Sequence, residues 1–141
     1  MKQQYEQVRE FMRAMNQETP SLREMPKYQT AHARFKMLQE EAGELIAAEL
    51  YDDYVDAVVD ILYVTLGAAV EAGLDGDTLA ACFDEVHLAN MSKFWTAEQV
   101  AEHKGDLQFE YSPAGYIAKW RGKVIKPPTF TPPNLSAIIH R

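Results

Sequence analysis

Residues 40–60 read EEAGELIAAELYDDYVDAVVD, and this stretch decides the fold because it joins two helical patterns at an acidic corner. Before the corner, apolar side chains recur at spacings of three and four, which predicts an amphipathic helix over about residues 30–50. After the corner, residues up to about 72 are apolar nearly all round, which is typical of a helix at the centre of a bundle or in an oligomer interface. Two helices joined so tightly are expected to pack antiparallel.

The same periodicity predicts one further helix on each side of this pair. The first covers residues 1–18 and is followed by a loop marked by Pro20 and Pro26. The other follows a turn after Gly73 and extends to about Lys93. The expected N-cap residues are Asp52 or Asp53 for the third helix and Asp77 or Thr78 for the fourth.

The chain changes character after Phe94, where no long helical stripe continues. Alternating apolar and polar residues over about 105–125 predict a short β-hairpin or an irregular flap. The segment 126–135, KPPTFTPPNL, holds four prolines in ten residues and is expected to be extended. The prediction is an all-α fold, with a four-to-five-helix bundle over residues 1–94 and an irregular or β-hairpin extension over residues 95–141, together a single domain.

The composition is that of an ordinary globular protein with more acidic than basic residues. Of the 141 residues, 47% are hydrophobic and 25% are charged, which excludes a wholly disordered or collagen-like chain. The net charge of −7 argues against a nucleic-acid partner, and any anionic ligand needs a metal ion or a local basic patch. No apolar run is long enough for a membrane span, so no membrane partner is expected. The single cysteine, Cys82, and a polar N-terminus without a signal core give the cytoplasm as the expected location.

Carboxylates are concentrated on both sides of the corner. In the first helix of the pair, the EExxE motif places three glutamates within roughly 100° of one another around the axis. In the second helix, three aspartates fall within roughly 60°. Antiparallel packing therefore allows up to six carboxylates to converge. They are Glu40, Glu41, Glu44, Asp53, Asp56 and Asp60.

Two interpretations of this cluster remain open at the level of the sequence. Solvated acidic faces and helix caps are the commoner outcome for such charge runs. However, Asp56 and Asp60 lie in an otherwise apolar helix, and burying an unpaired charge there reduces the free energy of unfolding by roughly several kcal/mol. Arg34, Lys36 and Lys93 are too few to balance six carboxylates. Hard divalent cations with oxygen ligands fit better, and Mg²⁺ or Mn²⁺ are the usual choices.

Other classes of site find little support. A di-iron bundle needs Glu-x-x-His on two helices, and the nearest pattern here is one Asp84-x-x-His87. The four histidines lack the paired spacing of a zinc site. There is no glycine-rich phosphate loop and no nucleophile elbow, and Cys82 is interpreted as a packed thiol.

Four motifs follow one another in a distinctive order. They are EExxE, an acidic motif that leads into DILYVTLGAA, then EVHLANMSK and a late GKVIKPP. Their order and spacing resemble the all-α nucleoside triphosphate pyrophosphohydrolases, that is, the MazG-like and phosphoribosyl-ATP pyrophosphohydrolase-like proteins with a dimeric dUTPase-like branch. The resemblance covers roughly residues 30–94 and part of the tail.

This resemblance implies a MazG-like bundle and a Mg²⁺-dependent attack of water on the α-phosphorus of a nucleotide, with Mn²⁺ as a substitute. It implies metal and base roles for Glu40, Glu41, Glu44 and Asp60. Contacts to phosphate or sugar are implied for Asn90 and Lys93 on the fourth helix, and for Lys123 and Lys126 in the tail.

One position departs from the family pattern, whose second motif is usually Glu-x-x-Asp. Here Ala57 lies three residues before Asp60. Asp56 can replace the missing carboxylate, because positions i and i+4 share a helix face. The number of bound metal ions therefore stays open.

The remaining predictions concern the chemistry of the site. Glu41 or Glu40 is expected to act as the base, while Glu44 and Asp60 bridge the metal. Arg34 is expected to contact the substrate, and Trp120 to contact the nucleobase. The other aromatic candidates for that contact are Phe11, Phe94, Trp95, Tyr116 and Phe130.

The predicted function is hydrolysis of a deoxynucleotide of the dUTP, dGTP or dCTP type, in pool control or house-cleaning. The alternatives are a phosphoribosyl-ATP pyrophosphohydrolase-like activity and a non-enzymatic helical module whose acidic groove binds a basic partner. A homodimer or homotetramer is expected, because a small bundle covers only one stripe of each helix. If a phage encodes the protein, the host cytoplasm is its location.

Overall fold

The computed structural model describes all 141 residues, 57% of them in helices. The chain forms two compact units, residues 1–80 and residues 81–141. A mainly helical chain with a small C-terminal sheet confirms the predicted fold class. In chain order the elements are α1 (Lys2–Ala14), α2 (Tyr28–Ala47), α3 (Tyr51–Glu71), α4 (Gly76–Met91), α5 (Ala97–Glu102), β1 (Gln108–Ser112), β2 (Gly115–Trp120), β3 (Lys123–Ile125) and α6 (Leu135–Ile139).

The core of the first unit forms between α1 and α3. Tyr5, Val8 and Met12 are spaced by three and four along α1 and are buried in one cluster with Val70. The Tyr5 hydroxyl also donates a hydrogen bond to the carbonyl of Leu74, just after α3. These contacts fix α1 to the C-terminal end of α3.

The two long helices α2 and α3 pack side by side. Arg34, near the start of α2, contacts Glu71 at the end of α3, so the helices are antiparallel, as predicted. No single helix of the chain is long and apolar enough to cross a membrane. Only α3 and α4 taken together, with a bend of 116° between them, have the length and apolar composition of such a helix.

The start of α3 differs from the prediction. The helix begins at Tyr51, and Leu50 occupies the N-cap position without a side-chain hydrogen bond. Asp52 and Asp53 therefore lie in the first turn, where negative charge interacts favourably with the helix dipole. The prediction that either residue caps α3 is wrong, because the acidic corner is already helical.

The start of α4 is capped by Asp75, and the prediction of Asp77 or Thr78 is wrong. Oδ1 of Asp75 accepts a hydrogen bond from the Thr78 amide at 2.8 Å, and Oδ2 accepts one from the Thr78 hydroxyl at 2.7 Å. Arg23 donates to the same Oδ2 at 3.0 Å. These three hydrogen bonds hold the pKa of Asp75 well below its ordinary value. The bond from the Thr78 amide has the largest effect, and those from the Thr78 hydroxyl and Arg23 come next.

The second unit contains an antiparallel sheet in the order β1–β2–β3. Trp95 is only 4% exposed, lies edge-to-face with His103 and Phe109, and donates from Nε1 to the Ile125 carbonyl at 2.9 Å. Its backbone also pairs with that of Tyr116 in β2. Trp95 is therefore a core residue of this unit, and its ring is not presented to a nucleobase.

Candidate active site

Five of the carboxylates on α2 and α3 interact electrostatically, and we call this group the seam cluster. Partial burial is the largest cause that raises the pKa of Glu41 above its ordinary value, and neighbouring carboxylates raise it further. In order of decreasing influence these neighbours are Glu44, Asp60, Glu40 and Asp56. Like charges raise a carboxyl pKa only when they lie close, so the seam cluster concentrates negative charge around Glu41.

The seam cluster is open to solvent. Asp56 is exposed and Asp60 is partly exposed, and no charged side chain of the chain is buried. The expectation that these aspartates are buried in an apolar helix is wrong, because the buried positions of α3 are four others. They are Ala57, Val64, Gly67 and Val70. A cation from solution therefore has direct access to the carboxylates.

The donor chemistry of the seam cluster fits a hard divalent cation. All five side chains offer carboxylate oxygens, the ligands that Mg²⁺ and Mn²⁺ prefer. With the side chains as they stand, no three Asp, Glu, His or Cys residues are gathered closely enough to hold a metal ion.

Arg34 is engaged away from the seam cluster. Its Nε donates to Oε2 of Glu71 at 3.2 Å, and its Nη2 donates to Oε1 of the same carboxylate. Only 11% of the Arg34 side chain and 12% of the Glu71 side chain are exposed. The guanidinium therefore forms a bidentate pair with Glu71.

Sequence reasoning missed Glu71. Antiparallel pairing counted outward from the corner sets Arg34 opposite Val64, about two turns before Glu71, the last residue of α3. The contact therefore depends on the reach of the long Arg34 side chain along the helix, which the register alone does not indicate.

Two other predicted residues pair with each other in the second unit. The Lys93 ammonium donates to Oδ1 of Asn90 at 2.6 Å, which joins the two polar positions of the Asn-x-x-Lys motif. Asn90 is exposed and Lys93 partly exposed. The pair offers an amide and a cation side by side.

The remaining predicted residues lie on and just after the β2–β3 hairpin. Trp120 and Lys123 are register partners in the sheet, and the Arg121 guanidinium lies 4.5 Å from the centre of the Trp120 ring. Lys126 lies 4.1 Å from the centre of the Phe130 ring. Two cations therefore lie against aromatic rings on and just after this hairpin.

Comparison with known proteins gives one family. Residues 8–90 match the family model described as phosphoribosyl-ATP pyrophosphohydrolase, and no curated protein matches the chain. The matched range is more than half of the chain and contains the whole seam cluster. Members of this family are pyrophosphohydrolases, hydrolases that act on acid anhydrides. The chain therefore belongs to the phosphoribosyl-ATP pyrophosphohydrolase family, in the MazG-like nucleoside triphosphate pyrophosphohydrolase superfamily, and this membership supports a nucleotide pyrophosphohydrolase activity.

Proposed function

We propose that the protein is a Mg²⁺-dependent nucleoside triphosphate pyrophosphohydrolase that acts on a deoxynucleotide in the cytoplasm. The observation that carries this proposal is the seam cluster, since its five carboxylates lie on the family's matched range. A protein of net charge −7 needs a bound cation to attract a triphosphate, and these oxygens are suitable ligands.

The reaction consumes one water molecule and produces a nucleoside monophosphate and diphosphate. The water oxygen bonds to the α-phosphorus, and the bond from the α-phosphorus to the bridging oxygen breaks, so diphosphate leaves. Glu41, or Glu40 beside it, accepts the proton of the water. Glu44, Asp56 and Asp60 would hold a divalent cation, which supplies charge neutralisation at the phosphate oxygens.

The proposed substrates are of the dUTP, dGTP or dCTP type. Phosphoribosyl-ATP is a second candidate, because the matching family is described by that activity. The chemistry is the same for both, so only the base and sugar distinguish them. An acidic module that binds a basic partner without catalysis is the remaining alternative, and membership of a family of hydrolases argues against it.

A substrate panel tests the proposal directly. All deoxynucleoside and ribonucleoside triphosphates, together with phosphoribosyl-ATP, are incubated with Mg²⁺ or Mn²⁺, and the products are separated by chromatography. We expect a monophosphate and diphosphate from a deoxynucleotide, and loss of turnover with a chelator. If no nucleotide in the panel is cleaved with either metal, the proposed function is wrong.

Two substitutions test the assignment of the site. We expect Glu44→Gln and Asp60→Asn to reduce kcat by about 100-fold or more, since each removes a charged ligand without changing the shape of the side chain. Glu49→Gln is the matched control, because Glu49 is an exposed glutamate near the corner outside the seam cluster. Circular dichroism should show the same helix content in all three variants. Full activity in Glu44→Gln and Asp60→Asn would refute the assignment.

A further inference from the structure

The first unit contains a pocket that the catalytic proposal does not use. It has a volume of about 540 Å³ and lies between the segment that joins α1 to α2 and the first half of α2. Its apolar lining comes from Met25, Met37 and two prolines, and its polar lining includes Arg34 and Glu71. A mixed lining and this volume are typical of a site for a small organic molecule.

The charges in the pocket are nearly balanced, which indicates the kind of ligand it accepts. Arg34 is neutralised by its bidentate contact with Glu71, and Lys27 at the rim lies 3.6 Å from Glu18. Glu24 is the one further charged residue of the lining, so the sum is slightly negative. Phosphate groups are therefore disfavoured here, whereas an uncharged ring with polar edges can contact both the methionines and the polar side chains.

Helical spacing relates the pocket to the seam cluster, because both include residues of α2 and α3. Arg34 and Glu41 are seven residues apart, which places them on one face of α2, about 10 Å apart along the helix axis. On α3, Asp60, Gly67 and Glu71 share one face by the same count. The spacing is comparable to the span from the base of an extended nucleotide to its phosphates.

We propose that this pocket binds the base and sugar of the substrate, so that the phosphates point along α2 towards Glu41. The inference rests on the proposed function, since it uses the seam cluster as the phosphate end. It assigns base selection to the joining segment and the first half of α2. It also predicts that the two products bind differently, because the monophosphate contacts the pocket and diphosphate does not.

Methyl NMR of the wild-type protein tests the pocket without catalysis. Of the six methionines, Met25 and Met37 line the pocket, while Met91 lies in the other unit and serves as the internal control. The protein carries carbon-13-labelled methionine methyl groups and is titrated with deoxyuridine, deoxycytidine, deoxyguanosine and deoxyadenosine in the absence of metal. We expect at least one nucleoside to shift the Met25 and Met37 signals and to leave Met91 unchanged, and pyrophosphate to shift neither.

A pocket-filling variant provides the kinetic test. Ala33 lines the pocket, and Ala31 lies on the same helix rotated by about 200°. We expect Ala33→Trp to raise KM and the inhibition constant of the monophosphate product about tenfold, with pyrophosphate inhibition unchanged. Ala31→Trp should retain wild-type values for all three.

The two proposals fail in different ways. Absence of any nucleotide cleavage by the wild-type protein overturns the proposed function, while the nucleoside titration still decides whether the pocket binds a base. Cleavage without a shift of Met25 or Met37 by any nucleoside overturns the pocket, as does an unchanged KM in a folded Ala33→Trp variant.

Discussion

One carboxylate at the start of α4 serves as a helix cap and as an ion-pair partner. Asp75→Ala would remove the acceptor of the Thr78 amide and the partner of Arg23, so we expect it to lower the free energy of unfolding by about 1–2 kcal/mol. Asp75→Asn should have a smaller effect, because asparagine caps helices well but does not attract Arg23. Urea denaturation at neutral pH measures both, and equal losses would contradict a separate contribution from the charge.

The same residue predicts a pH dependence with a definite sign. The pKa of Asp75 is lowered in the folded protein, so its contribution to stability is complete above the unfolded pKa of about 3.9. It is lost as the pH falls through the lower folded pKa. On acidification below about pH 5, the wild-type protein should therefore lose more stability than Asp75→Ala. Parallel stability curves for the two proteins over this range would show that Asp75 does not contribute.

Two glycines inside helices give opposite predictions for the same substitution. A Cβ at Gly67 would lie 2.5 Å from Nη1 and 2.7 Å from Cζ of Arg34, whose guanidinium is held by Glu71. Gly67→Ala should therefore destabilise the protein, because displacing a mostly buried ion pair outweighs a gain in helix propensity of about 1 kcal/mol.

Gly43 is the matched control for this prediction. A Cβ there meets no atom within 4 Å, so Gly43→Ala should raise the midpoint of thermal unfolding through helix propensity alone. Shifts of the midpoint in the same direction for the two alanine variants would contradict the role assigned to Gly67.

At the scale of the elements, the β2–β3 hairpin and the residues just after it place two cations against aromatic rings. Arg121 and Gly122 have φ angles of 48° and 78°, as a tight two-residue turn requires. We propose that the segment from Phe94 to Pro133 is a lid that supplies base contacts and lysines for the phosphates, in addition to the pocket. A static cover over apolar surface is the competing interpretation.

The lid proposal predicts an effect of the lysines on substrate binding. Lys123→Ala and Lys126→Ala should raise KM several-fold with little change of kcat or of stability, since they remove phosphate contacts distant from the proton transfer. Lys104→Ala, an exposed lysine of the same unit, is the control. Amide exchange over the lid should also slow when a non-hydrolysable nucleotide and Mg²⁺ are added. Unchanged exchange together with wild-type kinetics in both variants would exclude a lid.

The helices were largely predictable from sequence, while some of their ends were not. Apolar periodicity and the breaks at Pro20 and Gly73 suffice to predict α1 to α4. The cap of α4 was not predictable among several acidic candidates, because Arg23, distant in sequence, contributes to holding Asp75. In contrast, α5 was missed although Thr96 and Gln99 form a capping box, a pattern visible in the sequence.

In the candidate site, too, features set by local sequence were predictable and features set by tertiary contacts were not. Helical spacing alone predicts that the carboxylates of the EExxE motif and of α3 face one another. The pocket depends on how an irregular segment, residues 17–27, lies against α2, and no periodicity describes such a segment. Local patterns therefore predict the seam cluster, and tertiary structure is needed to reveal the pocket beside it.

At the scale of the whole molecule, the family match ends close to the boundary between the two units. It covers residues 8–90, whereas the second unit begins at residue 81. The hairpin and its lysines therefore lie outside the part that identifies the family. Features that distinguish this protein from other members of the family are expected to depend partly on the segment after residue 90.

The chain as a monomer leaves much apolar surface uncovered around the corner of α2 and α3. Ile46 is 87% exposed and Leu50 is 67% exposed. On α3, Val55, Val59 and Leu62 are also exposed and follow one another at spacings of four and three, so they form a stripe. This stripe lies about 100–140° around the helix from Asp60 and Asp56, so covering it would leave the seam cluster accessible.

A monomeric soluble protein rarely exposes a continuous apolar patch of this kind, and we propose that a second copy of the chain covers it. Sedimentation at micromolar concentration should give two or four times the 16.0 kDa of one chain. Val59→Glu should yield a folded monomer, because the side chain is exposed in the single chain and its charge is buried only by association. Leu22→Glu, which changes an exposed leucine outside the stripe, should leave the mass unchanged. A wild-type mass of 16.0 kDa would refute the proposal, and an oligomer that persists in Val59→Glu would place the interface elsewhere.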